Sequence, residues 1–530
     1  MDLIHPTSAI GIGASHLQVL IPVILIASAL LIPIISKVNR KCREPLVLLV
    51  TALSCVASLV IFQKVLASPT GYIEYVVGSA WSGKMLLQTG QPIGIVLRTD
   101  LLGAILLLLI NSIGFLVCIY SLQSIHHEVP EEKHTYYYTL MLLMLAGMCG
   151  IVITGDCFNF YVFFEIASIS SYTMVSISGK PESLEATFKY ILTGAFSSIL
   201  IIFAIGLLFN ATGTLNMNYA GQQIVKIISS PPESALYPYR YLIYASLGLF
   251  IMGFSVKAAF FPSHAWLADA HPAAPASISA ILSGLIVKTT GIFLLIRFIF
   301  TVFGIHRGYY GEIFSPLFLI ISSITILSGS LFAIVQTQLK RMLAYSTITQ
   351  MGYILFGIAL ITQNGLAGSI LHMINHAIVK SMLFLCSGII IYKTGIKDIT
   401  DMGRLGYRMP VTMACFTLGA CSMVGVPPLC GFMSKWVLAT ASYQAGMPYL
   451  LIILLISSLL NAVYYFRVVA IAYFGNPTMM VPGEVEEIDE APATMLVPVC
   501  TLALLIITLG VLVKFPYHFA ALPAARMLLR

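Results

Sequence analysis

Met252-Gly253-Phe254-Ser255-Val256-Lys257-Ala258-Ala259-Phe260-Phe261-Pro262 sets an ammonium inside an apolar run, five residues ahead of a proline that cannot continue a helix. A desolvated lysine is costly unless something compensates for it, and its charge then answers to its neighbours. In membrane segments such side chains mark ion or proton pathways and come with partners. The stretch predicts a membrane helix broken beside a functional charge.

Composition supplies the membrane. Of 530 residues, 58% are hydrophobic and 9% charged, against about 25% charged in a soluble domain. A bilayer crossing takes about 20 apolar helical residues. About fourteen such runs lie near 17–36, 45–64, 100–122, 135–153, 157–177, 185–209, 240–262, 276–300, 315–337, 342–362, 366–391, 411–440, 448–474 and 492–514. The expected fold is an all-α polytopic membrane protein of about fourteen transmembrane helices.

Lys37, Arg40, Lys41 and Arg43 follow the first run, Lys340 and Arg341 the ninth, and Lys393, Lys397, Arg404 and Arg408 the eleventh. All fall on one side when spans alternate, so that side is expected to be cytoplasmic and both termini extracytoplasmic, in the plasma (inner) membrane of a prokaryote. The net charge of +7 is spread over these short loops and makes no patch of the kind that binds nucleic acid. Met1 to Leu20 lacks a basic leader, so the first run reads as a retained span.

Loop 66–98 has strand-like stretches, Tyr72 to Val77 and Ile93 to Leu97, and loop 210–238 is polar around Pro231-Pro232; neither reads as an extra domain. The acidic segment Glu484 to Glu490 reads as a solvated cytoplasmic connection or a docking surface, and no long amphipathic helix is expected after the last span. The ten cysteines include no CxxC and lie mostly in apolar runs, which predicts packing residues and neither metal ligands nor disulfides. No cofactor site is expected.

Sorting the basic residues by span leaves Lys189, Lys257, Lys288, Arg297, Lys380, Lys435 and Arg467 inside the membrane. Lys189, Arg297 and Arg467 lie near span ends, where they can snorkel. One carboxylate accompanies them. Glu165 follows Phe160-Tyr161-Val162-Phe163-Phe164, has no local partner, and is expected to approach Lys257. The pair could be a static tie between helices, but a static pair needs one lysine and this chain keeps four.

His372, His376 and Lys380 are spaced i, i+4, i+8 and share one helix face, a titratable row about 12 Å long. Packing would account for a lone histidine; two in line with a lysine favour a proton relay, since imidazole passes protons through either nitrogen near neutrality. Pro262 denies a donor to the carbonyl of Ala258, and Pro427-Pro428 to those of Met423 and Val424. Packing kinks are one reading of such breaks. The other is a transport site, because unpaired backbone at membrane depth is tolerated where it is enclosed by protein or lines a water-filled cavity.

Four segments together resemble the antiporter-like subunit family shared by respiratory complex I, membrane-bound hydrogenases and Mrp-type cation/proton antiporters, over about Gln91 to Phe474. They are Phe160 to Glu165, Lys257-Ala258-Ala259-Phe260-Phe261-Pro262-Ser263-His264-Ala265-Trp266-Leu267-Ala268-Asp269-Ala270-His271, Lys340-Arg341-Met342-Leu343-Ala344-Tyr345-Ser346-Thr347, and Gly425-Val426-Pro427-Pro428-Leu429-Cys430-Gly431-Phe432. The resemblance implies two inverted five-helix repeats, each with a broken helix, at 135–303 and 315–474. Residues 1–134 would supply the first three helices and an extracytoplasmic loop, and 475–530 an acidic loop and a last helix. It also implies that Glu165 and Lys257 are the family's span-five glutamate and span-seven lysine, Lys288 its bridging span-eight residue and Lys435 its span-twelve lysine, with His264 and Lys189 in support. Expected partners are other membrane subunits, antiporter-like paralogues among them, and in redox-driven branches a hydrophilic arm.

The function expected is proton translocation through the buried Glu/Lys/His relay, from Lys257 to Lys288, then His376, His372 and Lys380, and out by Lys435, coupled to redox chemistry or cation exchange elsewhere. A component of a secondary Na+/H+ antiporter is the alternative within transport, although the interior lacks the several carboxylates a hard cation favours. An integral haem or quinone enzyme is the alternative of another class. Haem would need histidines on facing helices, and His372 and His376 share one face; no nucleotide-binding glycine fingerprint is present. A passive scaffold would tolerate loss of the lysines.

Overall fold

The computed structural model describes residues 15–77, 94–305, 310–476 and 489–529. Helices dominate because long apolar runs must satisfy their own backbone groups. In chain order they are α1 (Ser15–Val38), α2 (Arg43–Ala67), α3 (Leu101–Glu128), α4 (His134–Ile153), α5 (Cys157–Val175), α6 (Pro181–Thr212), α7 (Met217–Ile228), α8 (Tyr239–Lys257) and α9 (Ala265–Ala273). A continuous helix α10 (Ala276–Val302) follows. Then come α11 (Tyr310–Ile334), α12 (Leu339–Ala359), α13 (Gln363–Thr394), α14 (Pro410–Val424), α15 (Cys430–Gln444), α16 (Leu450–Phe474) and α17 (Ala493–Val511).

Twelve helices among the described residues are long and apolar enough to cross a membrane, and α14 is a shorter apolar one. The expected number of about fourteen exceeds those twelve by two runs, 157–177, found as α5, and 411–440, found as the half-helices α14 and α15.

The strand-like segments do pair: β1 (Tyr72–Val76) lies antiparallel to β2 (Val96–Asp100), Tyr72 opposite Asp100. Residues 78–93 and most of the acidic segment, 484–488, lie outside the described residues. Loop 210–238 holds one element that its polar composition hid. Helix α7 buries Met217, Ala220, Ile224 and Ile227 along one face, the i, i+3, i+7, i+10 spacing of an amphipathic helix. All ten cysteines are free thiols, mostly buried or half-buried.

Burial grades the helices from the interior outward. In α10, α12 and α13, 94% of the most apolar window is buried, against 33% in α1, α2 and α16. The first three form the interior, with α13 packed against α3, α10, α12, α14, α15 and α17. A polar side chain on any of them must find its partner within the protein.

Both expected breaks are present. Helix α8 ends at Lys257, and Ala259 adopts a left-handed φ of 54° before α9 begins at Ala265, a conformation with a steric cost for a residue bearing Cβ. The Trp266 indole reaches back and donates to the Val256 carbonyl at 2.9 Å, capping the interrupted helix. Helix α14 ends on Gly425 at φ 100°, where glycine avoids that cost. The next half-helix packs so closely that a Cβ on Gly431 would lie 1.9 Å from the Ser422 carbonyl oxygen.

Candidate functional site: a row of buried amines

Among the described residues five lysines are buried; Lys340 lies at the start of α12, and the other four lie deeper along the helices. Lys257 is 2% exposed, Lys288 and Lys380 0%, and Lys435 8%. None of the four has a carboxylate within ion-pair distance among the described residues. Their partners are hydroxyls, carbonyls and aromatic faces.

Lys257 closes α8 and turns toward α5. Its Nζ donates to Ser168 Oγ at 2.8 Å and Tyr172 Oη at 2.7 Å, and lies 4.7 Å from the centre of the Phe164 ring. Glu165 is on the same face of α5, one turn before Ser168. The structure corrects the expected ion pair: Glu165 accepts a short hydrogen bond from Ser198 Oγ on α6, and Ser198 also meets the Tyr161 hydroxyl at 2.8 Å. The carboxylate does have a nearby partner, one 33 residues away in sequence and so invisible locally.

Lys288 lies in the stretch Leu282–Phe293, wound with i→i+5 hydrogen bonds, a geometry frequent at functional sites. Its Nζ folds back on its own helix to the Ser283 carbonyl at 2.6 Å. Close packing joins this turn to α12 and α13. Ser283 meets Thr347 at 2.8 Å, Ser381 donates to the Ala280 carbonyl at 3.3 Å, and a Cβ on Gly284 would collide with Ser381.

On α13 the expected face is real. Lys380 Nζ donates to the Leu343 carbonyl at 2.8 Å, to Tyr465 Oη at 3.1 Å and, in a short bond, to Ser346. His372 bridges Gln350 (3.0 Å) and Ser434 (2.9 Å), so it touches the residue next to Lys435. His376 stacks 6.2 Å from His372, buried, and neither of its ring nitrogens has a partner among the described residues. The expected order of steps needs revising on this geometry: along α13, His372 stands at the Lys435 end and Lys380 at the far end, so Lys380 does not lie between His372 and Lys435.

Lys435 resolves the second break. Its Nζ donates to the carbonyls of Met423 at 2.7 Å and Val424 at 3.1 Å, the two expected to lose their donors at Pro427 and Pro428. It also reaches Ser458 at 3.3 Å, and the Tyr353 ring lies 4.9 Å away, itself 5.5 Å from the His372 ring. Lysine and broken helix are one unit.

The remaining expected residues sort differently. His264 sits among the rings of Phe261, Phe332 and Tyr345. Lys189 is half exposed and pairs with Glu185 and Asp269, whereas Arg297 is buried in a two-pronged bond with Asp100 at 2.6 and 2.8 Å, and Arg467 donates to the carbonyls of Ile334 and Gln336. Sequence reasoning passed over His271, which is fully buried with both ring nitrogens unpartnered among the described residues. Its place in the quoted stretch with Lys257 was the available signal.

This architecture has relatives. The family model described as NADH:quinone oxidoreductase/Mrp antiporter, TM, matches residues 154–461, which takes in all four lysines, Glu165, both breaks and the histidine row. NADH-quinone oxidoreductase subunit N of Desulforudis audaxviator is 34% identical over 430 residues, 79% of this chain and 82% of that protein. A Na(+)/H(+) antiporter subunit of Alkalihalophilus pseudofirmus is 31% identical over 432 residues, 81% and 83% of the two chains. Among solved structures, a chain of the membrane-bound sulfane sulfur reductase, an archaeal respiratory membrane complex, superposes with a TM-score of 0.85 at 28% identity, covering 97% of this chain and 98% of that one. A chain of the Mrp complex from Dietzia sp. gives 0.83 at 22% identity, with 97% of each covered, a likeness of fold. The chain belongs to the NADH:quinone oxidoreductase/Mrp antiporter transmembrane family.

Proposed function

We propose that this chain translocates protons as the antiporter-like subunit of a multi-subunit membrane complex, coupled to redox chemistry or cation exchange in other subunits. One observation carries the reading: four buried lysines whose amines rest on neutral acceptors and not on carboxylates. An ammonium held by hydroxyls and carbonyls keeps its hydrogen bonds without the Coulomb hold of an anion, and can give up a proton. The order supported is Lys257 to Lys288, on to Lys380 and His376, then His372 and Lys435, with enclosed water completing the gaps. Glu165 is the control charge beside the first amine.

On this reading the end carrying Lys180, Lys340 and Lys397 faces the cytoplasm of a prokaryote and both termini lie outside. Residues 135–303 and 315–474 act as inverted repeats, each built around one broken helix. The supporting geometry is that each break is joined to a lysine, Lys257 at the end of α8 and Lys435 on the carbonyls of α14. The likeness to a component of an Na+/H+ antiporter favours a second reading, in which the surrounding complex exchanges Na+ for these protons.

Proton translocation by the assembled complex in inverted vesicles tests the proposal. Lys257→Ala and Glu165→Ala should each abolish it while the protein still inserts; wild-type pumping by either variant refutes the relay.

A further inference from the structure

The Trp266 indole that caps the first break belongs to a longer chain of contacts. Its ring lies face to face with that of Tyr190 on α6, 4.3 Å between centres and 3° from parallel. Tyr190 in turn meets the Tyr172 ring of α5 edge-on at 4.5 Å, and the Tyr172 hydroxyl accepts from Lys257 Nζ at 2.7 Å. Since Trp266 donates to the carbonyl of Val256, the residue before Lys257, the chain of contacts closes on itself. Amine, two tyrosines, tryptophan and broken backbone form one loop around the first lysine.

That loop sits on the helix pair that holds Glu165. Tyr190, Gly194 and Ser198 stand at i, i+4 and i+8 and share one face of α6, as Glu165, Ser168 and Tyr172 share one face of α5. Ser198 holds the Glu165 carboxylate. Gly194, one turn away, leaves a slot for the Tyr172 hydroxyl: a Cβ there would lie 1.9 Å from that oxygen. Tyr190, a further turn along, carries the stack, and its own hydroxyl meets Ser171 at 3.0 Å. All three rings are buried. Apolar bulk alone would fill this space; it requires neither a parallel stack nor polar ends bonded on both sides. The Tyr172 and Tyr190 rings also lie 4.9 and 5.9 Å from Lys257 Nζ, within the range at which an aromatic face attracts an ammonium.

We propose that Tyr190 and Trp266, with the slot at Gly194, are positioning residues that clamp the broken helix to α6 and hold the Tyr172 hydroxyl on the Lys257 amine. The inference rests on the proton-translocating reading above. A shift of α6 against α5 that draws Ser198 from Glu165 carries Tyr190 and Gly194 with it, because all three lie on one helix face. Release of Glu165 and displacement of Tyr172 are then one event. Trp266, stacked on Tyr190, passes the same movement to the far side of the break. The amine is handed from hydroxyl to carboxylate and back in step, and is never left with neither.

The test uses the assembled complex in inverted vesicles, with proton translocation normalised to the rate of the complex's driving reaction. Tyr190→Leu keeps apolar bulk and removes the ring; it should lower translocation per turnover about tenfold or more, the weight of a lost hydrogen bond to a charged group. Tyr190→Phe keeps the ring, loses only the bond to Ser171, and should recover most of it. Gly194→Ala fills the slot with a residue that favours helix and should lower translocation by a similar factor; it decides the matter should Tyr190→Leu fail to assemble. Emission from Trp266 supplies a readout that packing alone would not move. The chain has three tryptophans, so Trp81→Phe with Trp436→Phe in the purified full chain leaves Trp266 by itself. Ser198→Ala, which frees Glu165, should shift that emission, and should not do so in a chain that also carries Tyr190→Leu. Tyr190→Leu or Gly194→Ala assembled and translocating at the wild-type rate, or Trp266 emission indifferent to Ser198→Ala, overturns the clamp. Lys257→Ala in parallel separates the two levels: if it is inactive while Tyr190→Leu and Gly194→Ala are normal, the relay stands and the clamp falls; if it too is normal, the relay itself is wrong.

Discussion

Lys435 is the place where a structural and a conducting role of a buried lysine can be pulled apart. Its amine satisfies the carbonyls of Met423 and Val424 at the end of α14. Lys435→Met keeps the length of the side chain and removes the donor. Two buried carbonyls are then orphaned at roughly 1–3 kcal/mol each, so roughly 2–6 kcal/mol of local stability is at stake before the relief of no longer burying an ammonium is counted. The break between α14 and α15 should loosen, and the complex should melt at a lower temperature. Lys435→Arg is the informative partner. A guanidinium donates to both carbonyls and, with a pKa above 12, does not release its proton. It should restore much of the melting temperature and none of the proton transport.

The assay is therefore double: thermal denaturation of the purified complex, and acidification of inverted vesicles followed with a pH-sensitive dye. The reasoning requires Lys435→Met to fail in both and Lys435→Arg to fail in transport alone. Wild-type acidification by Lys435→Arg would show that no proton needs to leave this amine, and the relay order ending at Lys435 would be abandoned.

Other sites give independent checks. Arg297 and Asp100 form a buried two-pronged pair tying α10 to the start of α3; Arg297→Met should cost roughly 3–5 kcal/mol by stranding the carboxylate, lowering the amount of assembled protein in membranes, and Asp100→Asn in the same chain should recover part of it. Gly431→Ala would place a Cβ 1.9 Å from the Ser422 carbonyl oxygen, so it should destabilise the second break by roughly 1–3 kcal/mol, seen as a lower melting temperature, whereas Gly248→Ala, with open space around it, should leave the protein unchanged. Tyr172→Phe removes one of the two hydroxyls on Lys257 and should slow proton transport without reducing the amount of protein inserted, which immunoblotting beside the vesicle assay would check.

The membrane fold was legible because it rests on local quantities: run length, proline position and charge between runs. Helix ends expected from hydropathy fall within a few residues of those found, as at 276–300 against Ala276–Val302. The carbonyls of Met423 and Val424 were legible too, since a proline ring removes a known donor. What filled them was not, because Lys435 enters from the half-helix beyond the break. The same distance in sequence hid Ser198 from Glu165 and Asp100 from Arg297. The i→i+5 winding around Lys288 has no proline to announce it, and Leu282–Phe293 reads as ordinary helix. Helix α7 could have been found, since its four buried residues keep a helical period; average polarity was the wrong measure of that loop.

The partition of charge in the finished structure explains why Glu165 matters more than its modest burial suggests. Asp100 is committed to Arg297, Asp269 to Lys189 and Arg341, and Glu128 to Lys340. Each interior amine is left with neutral partners. A carboxylate at 4 Å would hold an ammonium by about 4 kcal/mol at an effective dielectric near 20, nearly a thousandfold in proton occupancy, enough to stop transfer if permanent. Glu165 is the carboxylate that can supply this hold intermittently. It shares a face of α5 with Ser168 and Tyr172, the two hydroxyls on which Lys257 rests, and here it is turned to Ser198 on α6. Rotation of that one side chain from α6 toward Lys257 would charge the amine, and its return would let the proton go. On the proposed relay, the arrangement with Glu165 on Ser198 is the releasing state, and a movement of α6 against α5 in the complex would set its timing.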